Sequence, residues 1–153
     1  MALFNLPELA ARLAPQQRLL GIDPGTKRIG LALSDVGRRI ATPYGVLARG
    51  KLAAAARAIG TVAAKEGVGG LVFGWPLSMD GSVGPAAQSA RDWALALTEA
   101  TGLPGALWDE RLSSAAVNRF LIGEADLSRG ERSRAADRAA AAWILQSALD
   151  SLA

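Results

Sequence analysis

The sequence predicts an α/β fold, a mixed five-stranded sheet with helices on both of its faces. Three apolar runs separated by turns over residues 19–48 predict a meander of three antiparallel strands. The short continuous apolar run 70–74 is typical of a strand buried on both faces, and residues 106–109 are predicted to form the last strand. Apolar residues at helical spacing over 52–66 and 85–101 follow the meander and alternate with these runs, which favours parallel pairing of the later strands.

Composition limits the number of domains. A chain of 153 residues, half of them hydrophobic, has enough apolar material for one core. We therefore expect a single domain over residues 17–153, preceded by an N-terminal extension over 1–16 that contains a short amphipathic helix. The extension lacks the basic start of a signal peptide, and no apolar run approaches the ~20 residues of a membrane span. The expected location is the cytoplasm.

The absence of two residue types restricts the chemistry. The chain contains no cysteine and no histidine. Disulfides, thiol catalysis, an imidazole base and a histidine-ligated zinc site are therefore excluded. Hydrolysis would have to use carboxylates, hydroxyls, Lys, Arg or a hard metal ion. A net charge of +3 permits a nucleic-acid partner without requiring one.

The first candidate site residue is Asp23, at the end of the first strand of the meander. Pro24 suits the second position of a turn and Gly25 tolerates positive φ at the third, so the turn fixes the place of the carboxylate. Aspartate also favours such turns merely because it caps its own backbone. Gly25, Thr26 and Gly30, however, surround it with small side chains and bare amides, which would allow a phosphate or a metal ion to approach.

Further acids follow the last predicted strand. Asp109, Glu110 and Arg111 stand at its carboxyl end, where open α/β sheets usually bind ligands. Ser113 is placed to cap a helix that continues to about Ile122. The alternative interpretation is ordinary, because acids near a helix N-terminus also favour the helix dipole.

Asp137 heads the apolar stripe of the last predicted helix. Steps of three and four from it reach Ala141, Ile144 and Leu145. A carboxylate on the packed side of a helix needs a partner, because burying it unpaired is costly. The partner could be a metal ion or an arginine such as Arg134 or Arg138.

The densest basic segment of the chain is residues 129–138, around Asp137. It contains Arg129, Arg132, Arg134 and Arg138. This segment is either a solvated helix entry or a surface that contacts the phosphate backbone beside the active site. Lys27-Arg28 and Arg38-Arg39 could extend such a surface.

Four ordered motifs together resemble one family. Gly21-Ile22-Asp23-Pro24-Gly25-Thr26-Lys27-Arg28-Ile29-Gly30 resembles the opening motif of the RNase H-like superfamily. With Phe73 to Gly81, Asp109-Glu110-Arg111-Leu112-Ser113 and Asp137 to Gln146, it resembles more narrowly the YqgF family, also called RuvX-like, described as nucleases of pre-16S ribosomal RNA. One departure is that Arg132, Arg134 and two alanines replace the lysine-rich run that the family carries before the last Asp.

The resemblance implies an RNase H-like fold and a metal-dependent nuclease. Asp23, Glu110 and Asp137 would hold Mg²⁺ or Mn²⁺, which suit carboxylate oxygens. The residues expected to contact nucleic acid are Thr26, Lys27, Arg28, Arg111, Arg132 and Arg134. Structured RNA is the favoured substrate and branched DNA is possible, for a monomer or homodimer.

Three alternatives stay open at this point. An ATP-binding protein is one, because an Asp-Gly-Thr loop also binds phosphates in actin-like ATPases, although those need two such domains. A nucleic-acid-binding factor without catalysis is another, favoured by the arginine cluster. The third is a resolvase of branched DNA, which would share the fold.

Overall fold

A six-stranded sheet with helices on both faces makes up the computed structural model, which describes residues 3–112 and 129–153, with side chains of the second segment described from residue 134. The strands are β1 (Leu3–Phe4), β2 (Arg18–Pro24), β3 (Arg28–Ser34), β4 (Ala41–Ala48), β5 (Val68–Trp75) and β6 (Gly105–Asp109). The helices are α1 (Leu6–Arg12), α2 (Leu52–Glu66), α3 (Pro85–Thr101) and α4 (Arg129–Leu152), with a 3-10 turn at Glu110–Leu112.

The strand order across the sheet is β1-β6-β5-β2-β3-β4. The pairs β2–β3 and β3–β4 are antiparallel, as the predicted meander requires. The pairs β2–β5, β5–β6 and β1–β6 are parallel. Strand β4 lies at one edge, which explains how it accommodates Pro43, a residue with no backbone N–H to donate.

The predicted count of five strands is wrong by one. Residues Leu3 and Phe4 form an additional strand beside β6, in register with Gly105 and Ala106. Two residues are too few to carry an alternating pattern, so no local signal marks this strand. The short helix expected in the N-terminal extension is confirmed as α1, which Asn5 caps by accepting a hydrogen bond from the Glu8 backbone N–H.

The two faces of the sheet bury separate apolar clusters. Leu20, Ile22 and Phe73 pack against α2 and α3, through residues such as Ile59 and Leu97. On the opposite face, Leu19, Val72 and Ala106 pack against α1 and α4, through Leu9, Ala141 and Leu145. Successive side chains of a strand point to opposite faces, so Leu19, Gly21 and Asp23 share the face that α4 covers.

Glycines end the two helices between the meander and β6. Gly67 and Gly102 have φ of 68° and 74°, the left-handed conformation in which glycine costs least. Both helices end where the predicted ranges 52–66 and 85–101 end. The predicted helix from Ser113 to Ile122 lies outside the described residues.

Candidate active site

The turn between β2 and β3 sets the position of Asp23. The last pair of the hairpin joins Pro24 to Ile29, so four residues make the turn. Gly25 does not have the positive φ expected from its turn position. Its requirement for glycine is steric instead, because a Cβ there would collide with the backbone carbonyl of Arg28. Asp23 itself is 3% exposed, and it is the one buried charged residue among those described.

Two glycines flank Asp23 across the sheet. Gly30 on β3 is its direct partner in the antiparallel pair. Gly74 on β5 stands one residue beyond the parallel pair of Ile22 with Phe73, and therefore beside Asp23. Neither neighbour carries a side chain, so the sheet leaves space on each side of the Asp23 carboxylate.

The elements that carry the other two predicted acids occupy these spaces. A Cβ on Gly30 would collide with the backbone carbonyl of Asp137, so α4 packs directly onto β3 at this point. A Cβ on Gly74 would lie 2.6 Å from Oε1 of Glu110 and 2.7 Å from Cδ1 of Ile144. The glycines therefore let acid-bearing elements approach Asp23 from both sides.

All three acids line one open cleft with a volume of about 560 Å³. It is lined by Asp23, Pro24, Gly25, Thr26, Arg49, Pro76, Ala86, Ser89, Ala90, Glu110 and Asp137. A second cleft, of about 610 Å³, lies between the β3–β4 turn and the end of α4; it is lined by Arg38 and Arg39 but by none of the three predicted acids. The smaller cleft is thus the candidate active site.

Asp137 has an arginine partner on β3, Arg28. Nε of Arg28 donates a hydrogen bond of 2.8 Å to Oδ2 of Asp137. The sequence suggested Arg134 or Arg138 for this role. Arg28 stands 109 positions away on β3, and only the packing of α4 on that strand brings the two side chains together.

The donor chemistry of the cleft suits a hard divalent cation, since its acids offer only carboxylate oxygens. In residues 3–112 and 134–153, however, no group of three acidic side chains is arranged to hold a metal ion. The Asp137 carboxylate is instead bonded to Arg28. The cleft thus gathers the acids from three elements without bringing all three into one coordination arrangement.

Arg111 is held by Asp109 rather than facing the cleft. Its Nε lies 3.0 Å from both carboxylate oxygens of Asp109, and Nη2 lies 2.7 Å from Oδ2. Its Nη1 donates to the carbonyl of Met79 at 3.1 Å, which ties the loop after β5 to the end of β6. The bonded guanidinium lowers the pKa of Asp109, and the same pair raises the pKa of Arg111.

The remaining predicted contact residues differ in position. Thr26 lines the cleft, and Lys27 beside it is exposed. Arg134 is exposed near the start of α4. The side chain of Arg132 lies outside the described residues.

The family of the chain is settled by comparison with known proteins. Residues 17–151 match the profile of RuvX, described as Holliday junction resolvase. The chain belongs to the RuvX family. A protein from Gluconacetobacter diazotrophicus, named "Putative pre-16S rRNA nuclease", is 60% identical over all of this chain and 99% of its own length. A protein of the same name from Acidiphilium cryptum is 62% identical over 99% of this chain and 96% of its own.

Solved structures support the fold of this RuvX chain. The Thermus thermophilus RuvC structure with a Holliday junction aligns with a TM-score of 0.55, at 15% identity, over 89% of this chain and 95% of RuvC. A second structure of the same RuvC aligns with a TM-score of 0.53, at 12% identity, over 89% and 96%. The predicted RNase H-like fold and the predicted family are both confirmed.

Sequence reasoning missed one charged residue of the cleft, Arg49. It directly follows β4, and its Nη1 donates to the carbonyl of Gly25 at 2.8 Å. No motif marks it, because it stands in an unremarkable Ala-Arg-Gly-Lys run. Only the path of the chain after β4 brings Arg49 to the β2–β3 turn.

Among the described helices, none is long and apolar enough to cross a membrane.

Proposed function

We propose that this protein is a nuclease that hydrolyses phosphodiester bonds, with Asp23, Glu110 and Asp137 as the acids of its active site. The observation that carries the proposal is the meeting of these three acids, from β2, the turn after β6 and α4, on one cleft. Two small neighbours, Gly30 and Gly74, make that meeting possible. The curated relatives, named as nucleases over essentially the whole chain, support the same activity.

We assign Mg²⁺ or Mn²⁺ to this cleft, with Asp23 and Glu110 as ligands and Asp137 as a third. Such an ion, when bound, would activate water and stabilise charge on the leaving oxygen. Asp23 supplies the most deeply buried of the three carboxylates. For Asp137 to bind the ion, its ion pair with Arg28 would have to break. The free energy of that ion pair would therefore oppose metal binding by the third acid.

The substrate we propose is precursor 16S ribosomal RNA, cut near the 5′ end of the mature sequence in the cytoplasm. Its support is the name shared by relatives with 60% and 62% identity. A four-way DNA junction is the second candidate, favoured by the description of the matching family. Thr26 and Lys27, at the rim of the cleft, and Arg134 on α4 are proposed to contact the phosphate backbone of either nucleic acid.

The test is a cleavage assay on labelled precursor RNA, a four-way junction and linear duplex DNA, with Mg²⁺, with Mn²⁺ and with chelator. Wild type is expected to cut only with metal, and Asp23→Asn to lose activity at least about a hundredfold, because even indirect partners of metal ligands cost about 10- to 100-fold. Asp92→Asn, an exposed aspartate of α3 away from the cleft, is the matched control and should cut normally.

The assay also discriminates between the candidates. Faster cutting of RNA than of the junction supports ribosomal processing, and the reverse order supports resolution of branched DNA. Full activity of folded Asp23→Asn would refute the assignment of the site. Binding without cleavage by wild type on every substrate would favour a non-catalytic factor.

A further inference from the structure

Among the described residues that line the cleft, Arg49 is the basic side chain that the proposed catalytic arrangement does not use. It lies at the end of β4 and lines the same cleft as Asp23 and Glu110. The neighbouring wall, on α3, consists of the small residues Ala86, Ser89 and Ala90. A nucleic-acid strand that entered the cleft along this wall would therefore meet little side-chain bulk and one guanidinium.

Three contacts fix the position of Arg49. Its backbone N–H donates to the carbonyl of Lys27 at 2.9 Å, and Nη1 donates to the carbonyl of Gly25 at 2.8 Å. Its guanidinium carbon lies 4.4 Å from the ring centroid of Trp93, a cation–π arrangement. Trp93 in turn packs edge-on against Phe73, with ring centroids 6.0 Å apart. The side chain is therefore held in place before any ligand binds.

Among the described residues, no acidic side chain forms an ion pair with Arg49. The three ion pairs found among the described side chains do not include it. Partial burial lowers the pKa of Arg49, because loss of water disfavours the charged form. Within the described part of the chain, the guanidinium of Arg49 has a carbonyl and an aromatic ring as partners, and such a partly desolvated cation forms strong hydrogen bonds with an incoming anion.

We propose that Arg49 binds a backbone phosphate of the nucleic acid and positions the strand against the acids of the cleft. This inference rests on the proposed nuclease function and adds a residue that recognises the substrate. The planar guanidinium donates in a fork that matches two phosphate oxygens, and the bond to Gly25 occupies only one of its nitrogens. Arg49 is a binding and positioning residue, and it touches no reacting bond in this assignment.

The competing interpretation is that Arg49 only braces the β2–β3 turn. Both roles would lower activity in a variant, so activity alone does not separate them. Binding of a phosphate has a further effect, because removal of one cation that neutralises a phosphate reduces the slope of log affinity against log salt concentration by about 0.7 to 0.9. A brace that touches no phosphate would leave that slope unchanged.

The experiment measures binding by fluorescence anisotropy in the Asp23→Asn background, with chelator, across a series of NaCl concentrations. The probes are labelled precursor RNA and a labelled four-way junction. Arg49→Gln is expected to bind roughly tenfold more weakly, as for loss of a charged hydrogen bond, and with the smaller slope. Arg49→Lys should keep the slope while it binds more weakly than the parent, because it retains the charge without the fork.

Arg12→Gln is the matched control. Arg12 is exposed and also lies over an aromatic ring, 3.8 Å from the centroid of Phe4, but does not line the cleft. It should bind like the parent. An Arg49→Gln protein that matches Arg12→Gln in affinity and slope would overturn the inference while leaving the nuclease proposal intact. Failure of the parent itself to bind either probe would overturn both.

A second measurement uses only the wild-type protein, so it does not depend on whether an Arg49 variant folds. Wild-type protein is treated with phenylglyoxal, which modifies arginines, and the modified peptides are quantified with and without bound nucleic acid. Protection of Arg49 several times greater than that of Arg12 is expected. Equal reaction of Arg49 in both samples would overturn the proposed phosphate binding.

Discussion

At the scale of single residues, the cleft depends on positions where a side chain is missing. Gly30 and Gly74 stand on either side of Asp23, and each leaves the volume that another acid-bearing element occupies. Gly21, on the same face of β2, similarly makes room for Leu145, whose Cβ would lie 2.8 Å from an added methyl. Three glycines on one face therefore determine how closely α4 approaches the sheet.

A methyl group at Gly30 should push α4 away from β3. Gly30→Ala places its Cβ against the carbonyl of Asp137, a backbone atom that cannot turn aside. We expect the free energy of unfolding to fall by about 1–3 kcal/mol, the usual range for overpacking. Urea unfolding measures this. The control is Gly45→Ala on β4, where nothing lies within 4 Å of the added carbon; equal losses of stability in the two variants would contradict the close approach.

The acids could be found from sequence because each has a local mark. Asp23 ends an apolar strand, Glu110 follows one, and Asp137 heads an apolar helical stripe. The partners of these residues have no such mark. Arg28 meets Asp137 across 109 positions, and Arg49 meets Gly25 across 24, so both contacts are products of packing rather than of local pattern.

At the scale of elements, one side-chain pair connects the end of β6 to the loop after β5. Arg111 binds the Asp109 carboxylate with two nitrogens and the Met79 carbonyl with a third. Hydrogen bonds from Ser82 lower the pKa of Asp80, in the same loop, and the nearby charge of Arg111 adds to this shift. This tether places the loop beside the turn that carries Glu110.

The tether should weaken in acid. Because Arg111 lowers the pKa of folded Asp109, its contribution is fully present above the ordinary aspartate pKa of about 4 and is lost as pH falls through the lower folded value. We expect Asp109→Asn to be less stable than wild type at pH 7, by no more than about 1 kcal/mol for so exposed a pair. Urea unfolding from pH 7 to pH 2 should show the difference shrink as pH falls. A gap that stays constant over this range would argue against the ion pair as its cause.

Helices and strands with a periodic apolar pattern or a terminating glycine could be predicted from the sequence, whereas the shortest strand, β1, could not. The helices that end at Gly67 and Gly102 and the strands of the meander follow from local pattern. Strand β1 has two residues, and its partner β6 lies about a hundred positions later. Its pairing depends on where the rest of the sheet leaves an edge, which no local window contains.

At the scale of the whole molecule, the N-terminal residues are part of the packed structure. Strand β1 completes one edge of the sheet, while Leu6 and Leu9 of α1 are buried against the face that α4 also covers. The division into an extension over 1–16 and a domain over 17–153 stays a prediction, and these contacts argue that the two parts are energetically coupled.

Removal of residues 1–16 should therefore destabilise the remaining chain. Burial of each leucine contributes about 1.5–3 kcal/mol, so loss of Leu6 and Leu9 together is a large share of typical stability. We expect the truncated protein to unfold at a clearly lower temperature in calorimetry, with a greater tendency to associate through the uncovered edge of β6. A full-length Leu6→Ala, Leu9→Ala double variant separates loss of packing from loss of the edge strand. An unchanged midpoint in the truncated protein would show that the extension is independent.

The distribution of the acids along the chain has a consequence for biosynthesis. Asp23 is made early, but its flanking strand β5 follows some fifty residues later, and α4, which covers that face and carries Asp137, begins only at Arg129. A nascent chain shorter than this has an open hydrophobic face and an incomplete cleft. Any activity that requires all three acids is therefore withheld until translation has passed residue 137 and that helix has left the ribosome.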